Sequence, residues 1–208
     1  RTLTSAQLSP AESAQLSGAG ADISWARIDA SFVPNITVEQ DFDALINWPH
    51  GLLIEGYNGR ALLDFSGPNV NHGFRSNCDF CNWRNLEIYG GPYAIDITQT
   101  DAAFGGTVVQ NVTFDGQEQY AIRVGAASVP GWNRLIVGDC VFVSVPTAIT
   151  FDGSVADRTS VLAVLDSRFL ATSTAIDCLL GTGGQATYQF ENLIVNGTGN
   201  GIRIQRGE

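Results

Sequence analysis

The chain has 208 residues, of which 44% are hydrophobic and 15% are charged, a composition typical of a folded domain rather than of a disordered chain. A domain of this length buries about 70% of the surface that its unfolded chain exposes. All 11 basic residues are arginine and the formal net charge is −10, so we expect no binding to nucleic acid. No apolar run approaches the roughly 20 residues of a membrane span, so we expect no membrane insertion.

The sequence divides into an N-terminal segment, residues 1–35, and a larger domain, residues 36–208. Within the first segment, Ser9-Pro10-Ala11-Glu12 has the spacing of a capping box with proline at the first helical position. This pattern predicts a short capping helix over about residues 10–17. The larger domain opens with apolar runs at 52–54 and 61–65 that predict strands, followed by a long insertion at 66–80.

The cysteines predict neither a metal site nor redox chemistry. Cys78 and Cys81 have CxxC spacing, but no second pair follows and both histidines lie elsewhere, so no zinc site is expected. The oxidation state of this pair stays open. Cys140 and Cys178 fall at apolar positions of the repeat described next, which places them in the core as small apolar side chains. We expect no cofactor.

A repeat of about 27 residues dominates the chain from residue 80 to residue 205. The dipeptide Ala-Ile recurs, with a final Gly-Ile, and its isoleucines are Ile95, Ile122, Ile149, Ile176 and Ile202. An Asn or Asp stands nine or ten residues before each dipeptide, at Asn85, Asn111, Asp139, Asp166 and Asn192. These two residue types tolerate the left-handed backbone conformation, so the column predicts a sharp bend between two strands.

Between these markers apolar residues alternate with period two, which predicts three short strands per repeat. The alternation places four columns inside. Besides the isoleucines, they are Ile97/Val124/Phe151/Cys178/Ile204, Ile88/Phe114/Phe142/Phe169/Val195 and Leu86/Val112/Cys140/Ser167/Leu193. Equivalent strands that recur at a fixed spacing describe a solenoid whose turns stack in parallel.

The asparagine column at the tight turn and the inward stacks of Ile and Phe resemble the right-handed parallel β-helix of the pectate-lyase-like superfamily, including the bodies of phage tailspikes. The resemblance covers residues 80–205 clearly and residues 36–66 loosely. It implies an all-β, three-stranded parallel β-helix. It does not fix a function, because the same scaffold serves lyases, hydrolases, adhesins and inert stalks.

In that superfamily, substrate lies along the third strand of each coil, which makes the outward residues of this strand the candidate glycan-binding site. One outward column contains Asp96, Arg123, Thr150, Asp177 and Arg203, and a second contains Asp152. We expect Asp64 to begin the first column one coil earlier. An alternative interpretation is structural, since alternating Asp and Arg avoid stacking like charges on adjacent coils.

The same residues leave an enzyme open as an alternative. Asp64 with Asp96, or Asp152 with Asp177, could supply the carboxylate pair of a glycoside hydrolase, and Arg123 beside Asp96 could serve a lyase. The lyase pattern that uses lysine is absent, as is the Gly-His-Gly of the polygalacturonases.

Two further features carry alternative interpretations. Trp132 follows Pro130-Gly131, which predicts a loop tryptophan that could stack on a sugar or cover the loop itself. Asn35, Asn111 and Asn196 begin Asn-X-Thr sequons, but Asn111 also belongs to the column of the bend.

Three functions follow as expectations. The first is a structural and recognition module of a phage or other virion appendage that binds host surface glycan. The second is an extracellular polysaccharide lyase or glycoside hydrolase, and the third is a segment of a bacterial surface adhesin. All three predict an extracellular or virion location.

Assembly is a further expectation. The chain stops at residue 208 directly after the last predicted strand, and no cap sequence follows it. This predicts a homo-oligomer, specifically a trimer closed by threefold symmetry, or a part of a larger assembly.

Overall fold

The computed structural model describes residues 2–3, 24–29, 35–38, 52–68, 70, 73–76, 80–97, 106–125, 132–153, 159–180, 185–197 and 199–206. Over these residues the chain is an all-β parallel solenoid of about four turns, and none of them is helical. The predicted capping helix over residues 10–17 lies outside the described residues.

Nineteen strands are present in the described part of the chain. In chain order they are β1 (Thr2–Leu3), β2 (Ser24–Asp29), β3 (Asn35–Val38), β4 (Leu52–Tyr57), β5 (Ala61–Asp64), β6 (Phe74–Ser76), β7 (Phe80–Tyr89), β8 (Tyr93–Ile97), β9 (Gly106–Asp115), β10 (Tyr120–Val124), β11 (Trp132–Gly138), β12 (Val141–Val143), β13 (Thr147–Gly153), β14 (Thr159–Leu165), β15 (Arg168–Leu170), β16 (Thr174–Leu180), β17 (Gln185–Glu191), β18 (Ile194–Asn196) and β19 (Asn200–Arg206).

The strands form two parallel sheets. The third strands of the coils make a six-stranded sheet in the order β19-β16-β13-β10-β8-β6. The first and second strands share a 13-stranded sheet, and in β7 and β9 they run on as one ten-residue strand. Strands β1 and β2 also pair in parallel, with β3 and β4, so the ladder reaches into the segment before residue 36.

The predicted inward columns are confirmed. Ile122 pairs with Ile95 on one side and with Ile149 on the other, and Ile149 pairs with Ile176. These four isoleucines are fully buried. In the phenylalanine column, the ring centroids of Phe114 and Phe142 are 5.0 Å apart and those of Phe142 and Phe169 are 4.8 Å apart. These two columns are therefore continuous apolar stacks along the solenoid.

Burial ends at the last described coil. The columns that are fully buried in earlier coils become about half exposed at Val195 (43%), Ile202 (42%) and Ile204 (51%). Among the described strands, β17, β18 and β19 each pair with one strand only, β14, β15 and β16 respectively, so these side chains contact a described neighbouring coil on one side only.

The Asn/Asp column forms the predicted bend between the first and second strands. All five predicted residues have positive φ angles between 49° and 54°, and Asn58 continues the column one coil earlier with φ 56°. The side chains also bond along the column: Asn111 Nδ2 donates to Asn85 Oδ1 at 2.8 Å, and Asn192 Nδ2 donates to Asp166 Oδ1 at 2.9 Å. Asn and Asp thus supply both the backbone conformation and a polar ladder between coils.

A second left-handed corner, between the second and third strands, was not predicted. It contains Gly90, Gly116, Ser144 and Ala171, with φ angles of 70°, 72°, 53° and 55°. At each of these corners the backbone N–H donates to a carbonyl of the next coil. These residues share no side-chain chemistry, and only the glycines adopt this conformation without steric cost.

Candidate functional site

The candidate site is the outer face of the six-stranded sheet, and the predicted column of polar residues is present there. The register joins Asp96 to Arg123, Arg123 to Thr150, Thr150 to Asp177 and Asp177 to Arg203. Along its strand, each of these residues follows a residue of the isoleucine column and precedes a residue of the column that begins with Ile97. Both of those columns point inward, so the side chain between them faces outward. The structure therefore brings together four of the seven predicted site residues in one line.

Arg123 is held by two groups on its own sheet. Its Nε lies 3.0 Å from Asp96 Oδ1, and its Nη1 donates to the hydroxyl of Tyr120 at 2.8 Å. Its guanidinium carbon also lies 5.5 Å from the centroid of the Tyr120 ring. The Asp96 side chain is 3% exposed and that of Arg123 is 40% exposed. Of this pair, only the arginine is therefore exposed enough to contact a ligand.

Tyr120 stacks in turn on Tyr93, with centroids 5.0 Å apart and an interplanar angle of 13°. The sequence predicts this stack, because both tyrosines stand at the same position of adjacent coils. The bond from Arg123 to Tyr120 was missed. The spacing of three residues along one strand gives no signal for it, since the contact depends on the reach of the arginine side chain.

Asp177 and Arg203 form a bidentate pair at the other end of the column. Arg203 Nε donates to Asp177 Oδ1 at 2.8 Å, and Arg203 Nη2 donates to Asp177 Oδ2. The hydrogen bond to this carboxylate, together with its charge, raises the pKa of Arg203. Because both residues are partly exposed, the pair contributes orientation more than stability.

Asp152 faces outward in the second column, on β13. Its register partner on β16 is Leu179, so Asp152 and Asp177 are diagonal neighbours on adjacent strands. The Cα atoms of such diagonal neighbours are about 8 Å apart, because adjacent strands are about 4.8 Å apart and each residue along a parallel strand adds about 3.3 Å. The structure thus keeps this pair of carboxylates on one surface.

Asp64 does not belong to the column, and its predicted place is wrong. It ends β5, where it pairs with Tyr89 on the 13-stranded sheet. Its Oδ1 accepts hydrogen bonds from the backbone N–H of Ser66 at 2.9 Å and from the Ser66 hydroxyl at 2.6 Å. The position before Asp96 is occupied by Arg75 on β6, inside the segment predicted to be an insertion. Alternating apolar residues mark a strand but do not tell a second strand from a third.

Trp132 is the first residue of β11 and pairs with Thr159 on the 13-stranded sheet. Trp132 is therefore a strand residue and not the loop residue that was predicted from Pro130-Gly131. Strand β11 belongs to the 13-stranded sheet, whereas the polar column lies on the six-stranded sheet.

The predicted burial of two cysteines is confirmed. Cys140 and Cys178 are free and fully buried, whereas Cys81 is disulfide-bonded. Burial raises the pKa of both free thiols to about 12. Thiols that stay protonated at neutral pH are weak nucleophiles and weak metal ligands.

Asn111, which begins the second of the three sequons, is a member of the Asn/Asp column and has a structural role there. Besides the bond to Asn85, Asn111 Oδ1 accepts a hydrogen bond from Arg60, and Arg60 Nη1 donates to Thr113 Oγ1 at 2.6 Å. The side chains of this sequon are therefore engaged within the fold, as the structural interpretation predicts.

Within the described ranges, no group of three or more His, Cys, Asp or Glu side chains is arranged to hold a metal ion. No helix there has the length and apolar character to cross a membrane. Comparison with family models, curated proteins and solved structures finds no match to this chain.

Proposed function

We propose that the chain is a structural and recognition module of a virion appendage, similar to a tailspike body, and that it binds host surface glycan on the outer face of the six-stranded sheet. The observation that carries the proposal is the aligned column of Arg123, Thr150, Asp177 and Arg203 on a rigid ladder. Adjacent strands stand about 4.8 Å apart, so the column offers donors and acceptors at regular intervals along the solenoid.

Arg123 and Thr150 offer hydrogen-bonding groups to a glycan. Arg123 is fixed by Asp96 and Tyr120 but remains 40% exposed, so its free N–H groups can donate to a sugar hydroxyl or carboxylate. Thr150, on the next strand, adds a hydroxyl. Because Arg123 is already held in place, binding orders few of its rotamers and loses little conformational entropy.

The fixed carboxylates favour recognition over cleavage. A glycosidase acid or nucleophile must reach the glycosidic bond, and Asp96 is buried beneath Arg123. Asp177 has both of its carboxylate oxygens bonded to Arg203. The first predicted pair, Asp64 with Asp96, is divided between two sheets.

A polysaccharide hydrolase is the second candidate, and one observation favours it. Asp152 and Asp177 both face outward on adjacent strands. Strand spacing puts the Cα atoms of such diagonal residues about 8 Å apart, which allows their carboxyl groups to reach the separation of about 6.5–9.5 Å used by inverting enzymes. Such an enzyme would have to release Asp177 from Arg203 during the reaction.

One experiment separates the two candidates. The purified chain is incubated with a panel of acidic and neutral bacterial polysaccharides, and bound protein and newly formed chain ends are measured in the same samples. Recognition predicts binding without new ends, and Arg123→Gln should weaken binding about 10-fold, since a hydrogen bond to a charged group is lost. The matched control is Arg168→Gln, on the other sheet, which should bind like the parent chain.

The opposite results are equally clear. New chain ends that disappear in Asp177→Asn or Asp152→Asn would make the chain a hydrolase. Binding that Arg123→Gln and Arg168→Gln weaken equally would overturn the placement of the site. No binding to any member of the panel would count against glycan recognition.

A further inference from the structure

The 13-stranded sheet has an apolar outer face on its middle coils. On β9, β11 and β14 the residues between fully or nearly fully buried neighbours face outward, and several of them are apolar and partly exposed. They are Val108, Ile136, Val161 and Leu165, and we name this set the apolar outer face.

The register makes this face contiguous. Ile136 pairs with Val108 on one side and with Ala163 on the other, so three apolar side chains meet across adjacent coils, although Ala163 itself is only 7% exposed. Val161 and Leu165 flank Ala163 on the same strand. The equivalent positions on the six-stranded sheet carry the charged and hydroxyl side chains of the candidate site. A contiguous apolar set of this kind, unlike scattered single residues, is a candidate contact surface for another macromolecule.

Opposite charges stand on either side of Ile136, one on β11 and one at the bend that follows this strand. Arg134 lies two residues before Ile136 and Asp139 lies three residues after it, and both are exposed. Neither side chain forms an ion pair with any residue that the structure describes. Because the chain carries a net charge of −10, such local complementarity favours a contact between two copies.

We propose that a second copy of this chain packs on the apolar outer face, related by a two-fold axis parallel to the solenoid axis and passing close to Ile136. That operation reverses the strand direction in the second copy. Ile136 then meets Ile136, and Arg134 of each copy faces Asp139 of the other. The interface is isologous, with the same apolar centre and the same two ion pairs seen from either copy. It lies on the other sheet from the glycan site, so its test does not depend on the proposed function.

The test is sedimentation equilibrium of the whole chain over a range of concentrations. We expect a mass of two chains at high concentration. Arg134→Glu and Asp139→Arg should each raise the dissociation constant about 10-fold, because each places like charges opposite one another. The double variant should return it to near the parent value. Ile136→Lys should raise it at least about 30-fold, as expected for a central interface residue.

Arg168→Glu is the matched control, since it makes the same change of charge outside the apolar outer face and should leave the dissociation constant unchanged. Circular dichroism and thermal unfolding of each variant check that the fold is retained. A chain that stays monomeric, an assembly of three copies, or a double variant no better than the single ones would overturn the proposal.

Discussion

At the scale of single residues, the solenoid depends on positions that adopt a left-handed backbone conformation. At the first corner these positions are held by Asn and Asp, whose short polar side chains tolerate it. At the second corner two of them are Ser144 and Ala171, with φ angles of 53° and 55°. A side chain with a Cβ atom costs about 1–2 kcal/mol in this conformation. The fold therefore carries local strain that its sequence could have avoided.

Ala171→Gly should raise the free energy of unfolding by about 0.5–1 kcal/mol, because glycine removes the backbone strain of the folded chain. The greater conformational entropy of the unfolded chain offsets only part of this gain. Ala171 is exposed, so no buried contact is lost with its methyl group. Urea unfolding measures the change.

The matched control for this prediction is Ala175→Gly. Ala175 is fully buried in β16 and has no positive φ angle, so glycine should destabilise there by about 1 kcal/mol. If both glycines change stability in the same direction, strain at the second corner is not the cause.

At the scale of strands, the period of two decides which side chains enter the core. Ile149 and Thr150 are neighbours on β13, yet Ile149 is fully buried between Ile122 and Ile176 while Thr150 faces outward between Arg123 and Asp177. A shift of one residue in the register would exchange these two environments.

Ile149→Asp should prevent folding, because an unpaired carboxylate in the isoleucine column costs several kcal/mol, comparable with the about 5–15 kcal/mol that stabilises a whole domain. Thr150→Asp should change the free energy of unfolding by no more than about 1 kcal/mol. The new carboxylate would lie between Arg123 and Asp177, where attraction and repulsion largely offset each other. Circular dichroism and thermal unfolding of both variants provide the comparison, and similar behaviour would contradict the register.

The sequence predicts the strands well where chemistry repeats at a fixed spacing. The isoleucine column and the Asn/Asp bends recur every 26–28 residues, and the structure confirms both. Prediction fails where positions share geometry but no residue type. Gly116 and Ala171 occupy the same corner without any common signal. Asp64 was placed on the wrong sheet because an irregular spacing in the early coil hid the third strand at residues 74–76.

The site was predictable in part for the same reason. The alternation in β8, β10, β13 and β16 identifies outward positions, so Asp96, Arg123 and Asp177 were found without a structure. Which of them a ligand can reach was not predictable. Asp96 is buried and Arg123 is exposed although both are outward-facing polar residues, because exposure depends on how neighbouring side chains cover the sheet.

At the scale of the whole molecule, the buried thiols link stability to alkaline pH. Cys140 and Cys178 have pKa values raised by burial from 9.0 to about 12. Between these limits the unfolded chain loses thiol protons that the folded chain retains. The unfolded state then binds fewer protons, so the free energy of unfolding falls as the pH rises from about 9 towards 12. Burial likewise raises the pKa of Tyr188 to about 12, which acts in the same direction.

Urea unfolding at a series of pH values from 8 to 11 tests this expectation. In the double variant Cys140→Ala, Cys178→Ala, the free energy of unfolding should fall less steeply above pH 9 than in the parent chain, whatever the variant's stability at neutral pH. Equal slopes of the free energy of unfolding against pH would mean that the pKa values of the two thiols are no higher in the folded chain than in the unfolded one.

The constant spacing between coils has a consequence for how such a chain can evolve. Residues 122, 149 and 176 occupy equivalent positions, so removing or duplicating one 27-residue block joins each strand to a partner of the same kind. Each coil contacts mainly its two neighbours, and the cross-section is unchanged by such an event. The length of the solenoid can thus vary by whole coils. A longer descendant would gain additional coils with the same kind of surface and would not need a new fold.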